Sequence, residues 1–247
     1  MKLTVLGCGD AFGSGGRLQT CYHVEAAGTR FLIDCGATTL IGFSRFGLET
    51  NGVETIFISH LHGDHFAGLA WWLIHAQHVT KRTQPLTVVG PPGVRARFET
   101  AAEALYPGST GIQRRYDLRY LELAREAPLD VGAVRVTPFE VTHPSGAPAY
   151  ALRFEVGGKV LSFTGDGEWS ESLVPAGRKA DLYIMECYQF EGEPRFHTSW
   201  QTIQAQLDRI APGRVMLTHM AEPMLARRAQ VTDPRVVLAE DGLVLEV

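Results

Sequence analysis

Apolar and β-branched residues recur along the chain in short runs of period two or of continuous hydrophobicity. Leu3–Leu6, Cys21–Ala26, Arg30–Ile33, Thr55–Ile58, Leu86–Val89, Val134–Val141, Tyr150–Val156, Lys159–Phe163, Leu182–Met185 and Arg214–Leu217 are predicted as strands. Between them, Phe66–His78, Val94–Leu105, Ser170–Val174 and Thr198–Ile210 carry helical spacing, the last opening on a Thr or Ser suited to an N-cap. Gly28-Thr29 and Gly157-Gly158 read as hairpin turns. Strands come in hairpins early and late and alternate with helices in the middle. This favours a pair of mixed sheets with helices outside over a purely parallel sheet.

At 247 residues, with 45% hydrophobic and 20% charged positions, the chain can bury a sizeable core. We read residues 1–247 as one domain. The 26 glycines and 13 prolines form no biased tract, which argues against disorder or a repeat architecture. A net charge of -4 without a long basic run offers no obvious nucleic-acid footprint, although Arg95, Arg97, Arg114, Arg115, Arg227 and Arg228 could gather into a local patch. The opening run Met1–Leu6 is too short for a signal peptide or a membrane span, so a cytoplasmic location is expected. Cys8, Cys21, Cys35 and Cys187 lack Cys-x-x-Cys spacing and are read as reduced and mostly buried.

The chemistry concentrates in Ser59-His60-Leu61-His62-Gly63-Asp64-His65, directly after the Thr55–Ile58 strand. Imidazole and carboxylate are the donors a borderline divalent cation takes in a hydrolytic site, and Gly63 lets the loop bend so that they converge. The bland reading, a solvated polar loop, leaves that density of imidazoles without a partner charge. His143, Asp166 and His219 each follow the end of a predicted strand, the rim where layered α/β folds bind ligands. Any one of them alone would pass as a loop histidine or a capping aspartate. His75 and His78 share a helix face and are read as solvated, Trp71 and Trp72 as packing under the site, and His23 as structural.

These pieces resemble the metallo-β-lactamase superfamily, and within it the ribonuclease Z-like branch of phosphodiesterases. The resemblance runs through Leu6-Gly7-Cys8-Gly9-Asp10, Ile33-Asp34-Cys35-Gly36, the His60–His65 motif, Gly90-Pro91-Pro92-Gly93, Thr142-His143-Pro144, Thr164-Gly165-Asp166, Glu186-Cys187, His197-Thr198-Ser199 and Thr218-His219. It implies a four-layer αββα sandwich, two mixed β-sheets flanked by helices. It also implies two divalent metal ions, zinc first and manganese second, with His60, His62 and His143 holding one, Asp64, His65 and His219 the other, and Asp166 between them. Asp34 would fix a ligand histidine by a hydrogen bond. The resemblance makes Asp64, His197 and Glu186 the catalytic set, with His197 assisting the departing oxyanion and Glu186 orienting it.

The activity implied is that of a binuclear metallo-hydrolase, a phosphodiesterase. Branch members that mature transfer RNA carry a protruding basic arm, and none is evident between His143 and Asp166. A small phosphodiester or nucleotide is therefore expected as substrate, with RNA as a further option and a homodimer as the assembly. A carbonyl hydrolase acting on a lactone, thioester or β-lactam is the alternative on the same donors. An iron redox enzyme would call for a different ligand set, and a binding protein that had lost catalysis would be expected to have lost ligands.

Overall fold

The computed structural model describes residues 1–247. Fourteen strands form: β1 (Lys2–Gly7), β2 (Cys21–Ala26), β3 (Thr29–Ile33), β4 (Thr55–Phe57), β5 (Leu86–Gly90), β6 (Leu118–Glu122), β7 (Leu129–Val131), β8 (Val134–Val141), β9 (Ala149–Val156), β10 (Lys159–Phe163), β11 (Leu182–Glu186), β12 (Arg214–Thr218), β13 (Val236–Leu238) and β14 (Val244–Glu246). They make two seven-stranded sheets, in the orders β14-β1-β2-β3-β4-β5-β6 and β13-β12-β11-β10-β9-β8-β7. Each sheet is mixed. β14, β1, β2 and β3 pair antiparallel and β3 through β6 parallel; β7 through β10 pair antiparallel and β10 through β13 parallel.

Strand alternation explains the layering. In β3, Phe31 and Ile33 point into the space between the sheets, where they meet Phe57, Leu152, Phe154, Leu161 and Ile184. Leu32, between them, points the other way and packs with Ile56, Val88, Phe43, Leu69 and Trp72 under the helices Thr39–Arg45 and Gly68–Ile74. The far sheet repeats this on its outer face, where Tyr183, Met185, Val215 and Leu217 meet Ile203, Leu207 and Ile210 of the helix Trp200–Ile210. Both faces of both sheets are covered, which is why the central strands read as almost continuous hydrophobic runs. The order of layers is αββα.

Several boundaries move. The β2–β3 turn is Ala27-Gly28, both with positive φ, one residue earlier than expected; Gly157-Gly158 turns as expected. The helix expected over Phe66–His78 is divided into Gly63–Phe66, Gly68–Ile74 and a wide turn at His75–Val79. Gly68 marks a contact of backbone on backbone, since a Cβ there would lie 2.2 Å from the Gly36 carbonyl oxygen. The last predicted helix begins at Trp200, with the Ser199 hydroxyl accepting from the Thr202 amide as its cap. All four cysteines are free and buried. No helix is long and apolar enough to cross a membrane. Of the candidate basic patch, Arg95 pairs with Glu99, Arg227 with Glu191 and Arg228 with Glu240.

Candidate metal centre and active site

Parallel strands deliver their carboxyl ends to one rim, and the candidate residues stand there. His60 and His62 follow β4, and Asp64 and His65 lie on the short helix that His62 begins. His143 follows β8, Asp166 follows β10, Glu186 ends β11 and His219 follows β12. The structure brings all seven expected ligands into two groups. His60, His62 and His143 form one; Asp64, His65, Asp166 and His219 form the other, with the ligand atoms of each group within 4.8 Å of one another. Glu186 and His197 join Asp166 and His219 in a third, overlapping group.

Hydrogen bonds around the rim settle which imidazole nitrogens carry protons. His143 Nδ1 donates to the Phe196 carbonyl at 2.9 Å and His62 Nε2 donates to the Pro144 carbonyl at 3.1 Å. Their other nitrogens, His143 Nε2 and His62 Nδ1, therefore face each other as two lone pairs 3.0 Å apart. His65 Nδ1 donates to Asp34 at 2.6 Å. The Ser59 hydroxyl donates to Asp34 at 2.8 Å and so accepts from His60 Nδ1 at 3.0 Å. That leaves His60 Nε2 and His65 Nε2 buried without a hydrogen-bond partner, together with Asp166 Oδ1. Opposed lone pairs and orphaned buried nitrogens are costly unless a cation lies among them. Nitrogen and carboxylate donors without thiolate fit a divalent metal ion.

Charge tells the same story. Burial opposes the ionised form of Asp166, but the imidazoles of His219 and His65 hold its carboxyl well below the usual range. Burial likewise opposes a charged His65, yet Asp166, Asp64 and Asp34 raise it well above an ordinary imidazole. His60 is pushed well down by burial and by His65, and burial lowers His143 to about 4. The group is a concentrated set of buried charges awaiting compensation.

Beside this set, His197 Nδ1 is hydrogen-bonded to Glu186 Oε1, and Glu186 Oε2 accepts the Gly167 amide at 2.8 Å. Burial raises the Glu186 carboxyl well above its usual range, with Asp166 adding to it, and burial lowers the His197 imidazole. A proton is therefore held between these two. The His197 ring lies 5.8 Å from that of His219 and 5.4 Å from that of His143.

Sequence reasoning missed two participants. Tyr188 stacks on His197 with ring centroids 4.3 Å apart; its spacing of two from Glu186 at a strand exit was the available signal. Phe196 contributes only its carbonyl, presented from a left-handed conformation at φ 65. Asp34 and His219 share that conformation, at φ 60 and 56. Other side chains fall outside the site. His23 is buried edge-on to Phe43, Trp72 packs on the same phenylalanine, His75 is half-buried and His78 exposed.

Among known proteins, ribonuclease Z of the archaeon Halorubrum lacusprofundi is 32% identical over 153 residues, a match covering 62% of this chain and 47% of that protein. The solved short form of human tRNase Z superposes with a TM-score of 0.79 at 25% identity, covering 100% of this chain and 99% of the other. The metallo-β-lactamase fold protein YhfI of Bacillus subtilis gives a TM-score of 0.79 at 22% identity, covering 99% of both chains. The αββα architecture is thus the metallo-β-lactamase fold, on the ribonuclease Z-like branch. Residues 1–241 match one family along almost the whole chain, and the protein belongs to that family, described as anti-Pycsar protein Apyc1.

Proposed function

We propose that this chain is a binuclear metal-dependent phosphodiesterase acting on a small phosphodiester or nucleotide. His60, His62 and His143 would hold one divalent ion, Asp64, His65 and His219 the other, with Asp166 between them, zinc being the first choice and manganese the second. Bound there, the ions supply Lewis-acid activation of water and a clamp for phosphoryl oxygens. The chain's own residues do the rest. Asp34, Ser59 and the carbonyls of Pro144 and Phe196 fix the imidazole tautomers so that the ligand nitrogens point inward. Glu186 holds His197 by Nδ1, leaving Nε2 to deliver a proton to the departing oxygen.

The observation that carries this reading is the Glu186–His197 pair set against the ligand cluster. A phosphodiester leaves behind a poor alkoxide that needs a proton, and this pair can supply one at the edge of the site. A homodimer is the assembly we expect, checked by sedimentation. Turnover of bis(p-nitrophenyl) phosphate by metal-free protein reloaded with zinc, then with manganese, tests the activity. Absence of turnover with both, alongside rapid cleavage of a lactone, thioester or β-lactam, would replace the phosphodiesterase by a carbonyl hydrolase.

A further inference from the structure

A cleft of about 560 Å³ begins at His197 and runs along the first turns of the helix Trp200–Ile210, between the loop at Glu168-Trp169 and the loop at Glu193–Arg195. Its size is that of small-ligand pockets, roughly 300–1,000 Å³. It lies outside the cluster of metal-ligand candidates and shares only His197 with the catalytic residues. We infer that this cleft is the subsite for the nucleoside carried on the departing oxygen of the phosphodiester, with Trp169 as the surface on which its base stacks. The inference rests on the phosphodiesterase reading above.

Position comes first. A leaving oxygen that takes its proton from His197 must lie against that imidazole, so the carbon framework attached to it extends past His197. The cleft that His197 lines is the volume available there. Chemistry comes second. Trp169 packs partly against two buried clusters, one containing Val174 and Tyr183 and the other Val141 and Leu173, so its ring is held while remaining half-exposed to the cleft. A held aromatic ring is a stacking platform that accepts any base. Thr202 and Gln206 stand one helical turn apart on the half-buried side of the helix and line the same cleft, offering a hydroxyl and an amide to sugar and base hydroxyl, carbonyl and amino groups.

Charge selects among nucleotides. The cleft presents two carboxylates, Glu168 and Glu193, against the single cation Arg195. Glu168 is fixed in place by accepting the Phe196 amide at 2.9 Å. A second phosphate running into this cleft would meet net negative charge, whereas a neutral nucleoside would not. The subsite therefore favours a single nucleoside bearing one phosphodiester over an internal linkage of a polynucleotide.

The test compares metal-loaded wild type with W169A and Q206A on a nucleoside 3′,5′-cyclic monophosphate and on bis(p-nitrophenyl) phosphate. Base stacking of ordinary strength predicts that W169A lowers the ratio of kcat/KM for the nucleotide over that for the nitrophenyl diester by about ten-fold, through KM, with a smaller effect in Q206A. An unchanged ratio in W169A overturns the subsite. Wild type that hydrolyses neither diester overturns the phosphodiesterase reading instead. The subsite then stands or falls on fluorescence titration with uridine and adenosine: quenching in wild type that is lost in W169F supports it, and no quenching in wild type overturns it.

Discussion

Tyr188 lies almost flat on His197, with 4.3 Å between ring centroids and 15° between ring planes. The imidazole is thus held on one edge by Glu186 and on one face by a phenol ring, and both must be right for Nε2 to point at a substrate. Stacking of this kind is worth about 0.5–1.5 kcal/mol. Y188F keeps the ring and should retain turnover within about two-fold. Y188A should lower kcat on an alkyl diester by about ten-fold and much less on bis(p-nitrophenyl) phosphate. Equal losses on both, or failure of Y188F to restore the rate, would show Tyr188 to be only structural.

Removing the proton donor itself should show the same signature more strongly. H197A is expected to reduce kcat by roughly 10²–10⁴ on a diester with a poor leaving group. Its effect on a nitrophenyl leaving group, which departs without a proton, should be far smaller. E186Q should fall in the same direction with a milder loss. Identical reductions across leaving groups would remove His197 from that role.

Stripping the metal should cost stability as well as activity. The ligand cluster joins groups from both sheets, and ions that bind only the folded form stabilise it by about 4 kcal/mol at a thousand times their Kd. For a chain of this size that corresponds to a Tm shift of about 10 °C. Calorimetry with and without chelator, alongside elemental analysis, checks it. Two equivalents of metal per chain are expected in wild type, and D166A should retain fewer. An identical Tm in the two states would speak against an ion in the cluster.

Two features of the structure were hard to foresee for different reasons. The central strands were legible because Phe31, Leu32 and Ile33 are buried on both faces and leave an unmistakable hydrophobic run. The strands that escaped prediction, β6, β7, β13 and β14, are the four edges of the two sheets. There Arg119, Glu122 and Asp130 interrupt the pattern, because an edge strand faces water and benefits from charge. The site was similarly divided. Its side chains announced themselves through clustering and family likeness. The carbonyls that fix the tautomers of His62 and His143 belong to Pro144 and Phe196, whose side chains carry no such signal.

Arg82 offers a stability test well away from the chemistry. Its guanidinium is 1% exposed and has no carboxylate partner; it donates instead to the carbonyls of Thr50, Asn51, Val53, Gln84 and Pro85. R82A would leave several buried acceptors unsatisfied, at about 1–3 kcal/mol each. Urea unfolding should reveal a loss of about 3 kcal/mol or more, and R82K should recover only part because an ammonium cannot span the same acceptors. A change under 1 kcal/mol would contradict this account.

His23 should make the fold sensitive to acid. Burial lowers its pKa, while Glu25 opposes and Arg30 and Lys2 reinforce the shift. A histidine whose folded pKa is depressed contributes stability that is complete above its unfolded value, near 6.5, and that disappears as pH falls through the folded value. H23F keeps an apolar ring against Phe43. Its unfolding free energy should therefore decline less than that of wild type between about pH 7 and pH 5. Parallel declines would assign the acid sensitivity elsewhere.

The left-handed turn at Phe196 gives position 196 an unusual tolerance profile. What His143 needs from it is a peptide oxygen aimed correctly, and glycine or asparagine adopts that backbone with less strain than phenylalanine. A saturation scan should rank substitutions there by their torsional preferences, with β-branched residues worst, and hardly at all by polarity or size. Importance would then be written in the main chain, at a residue whose own ring could be discarded.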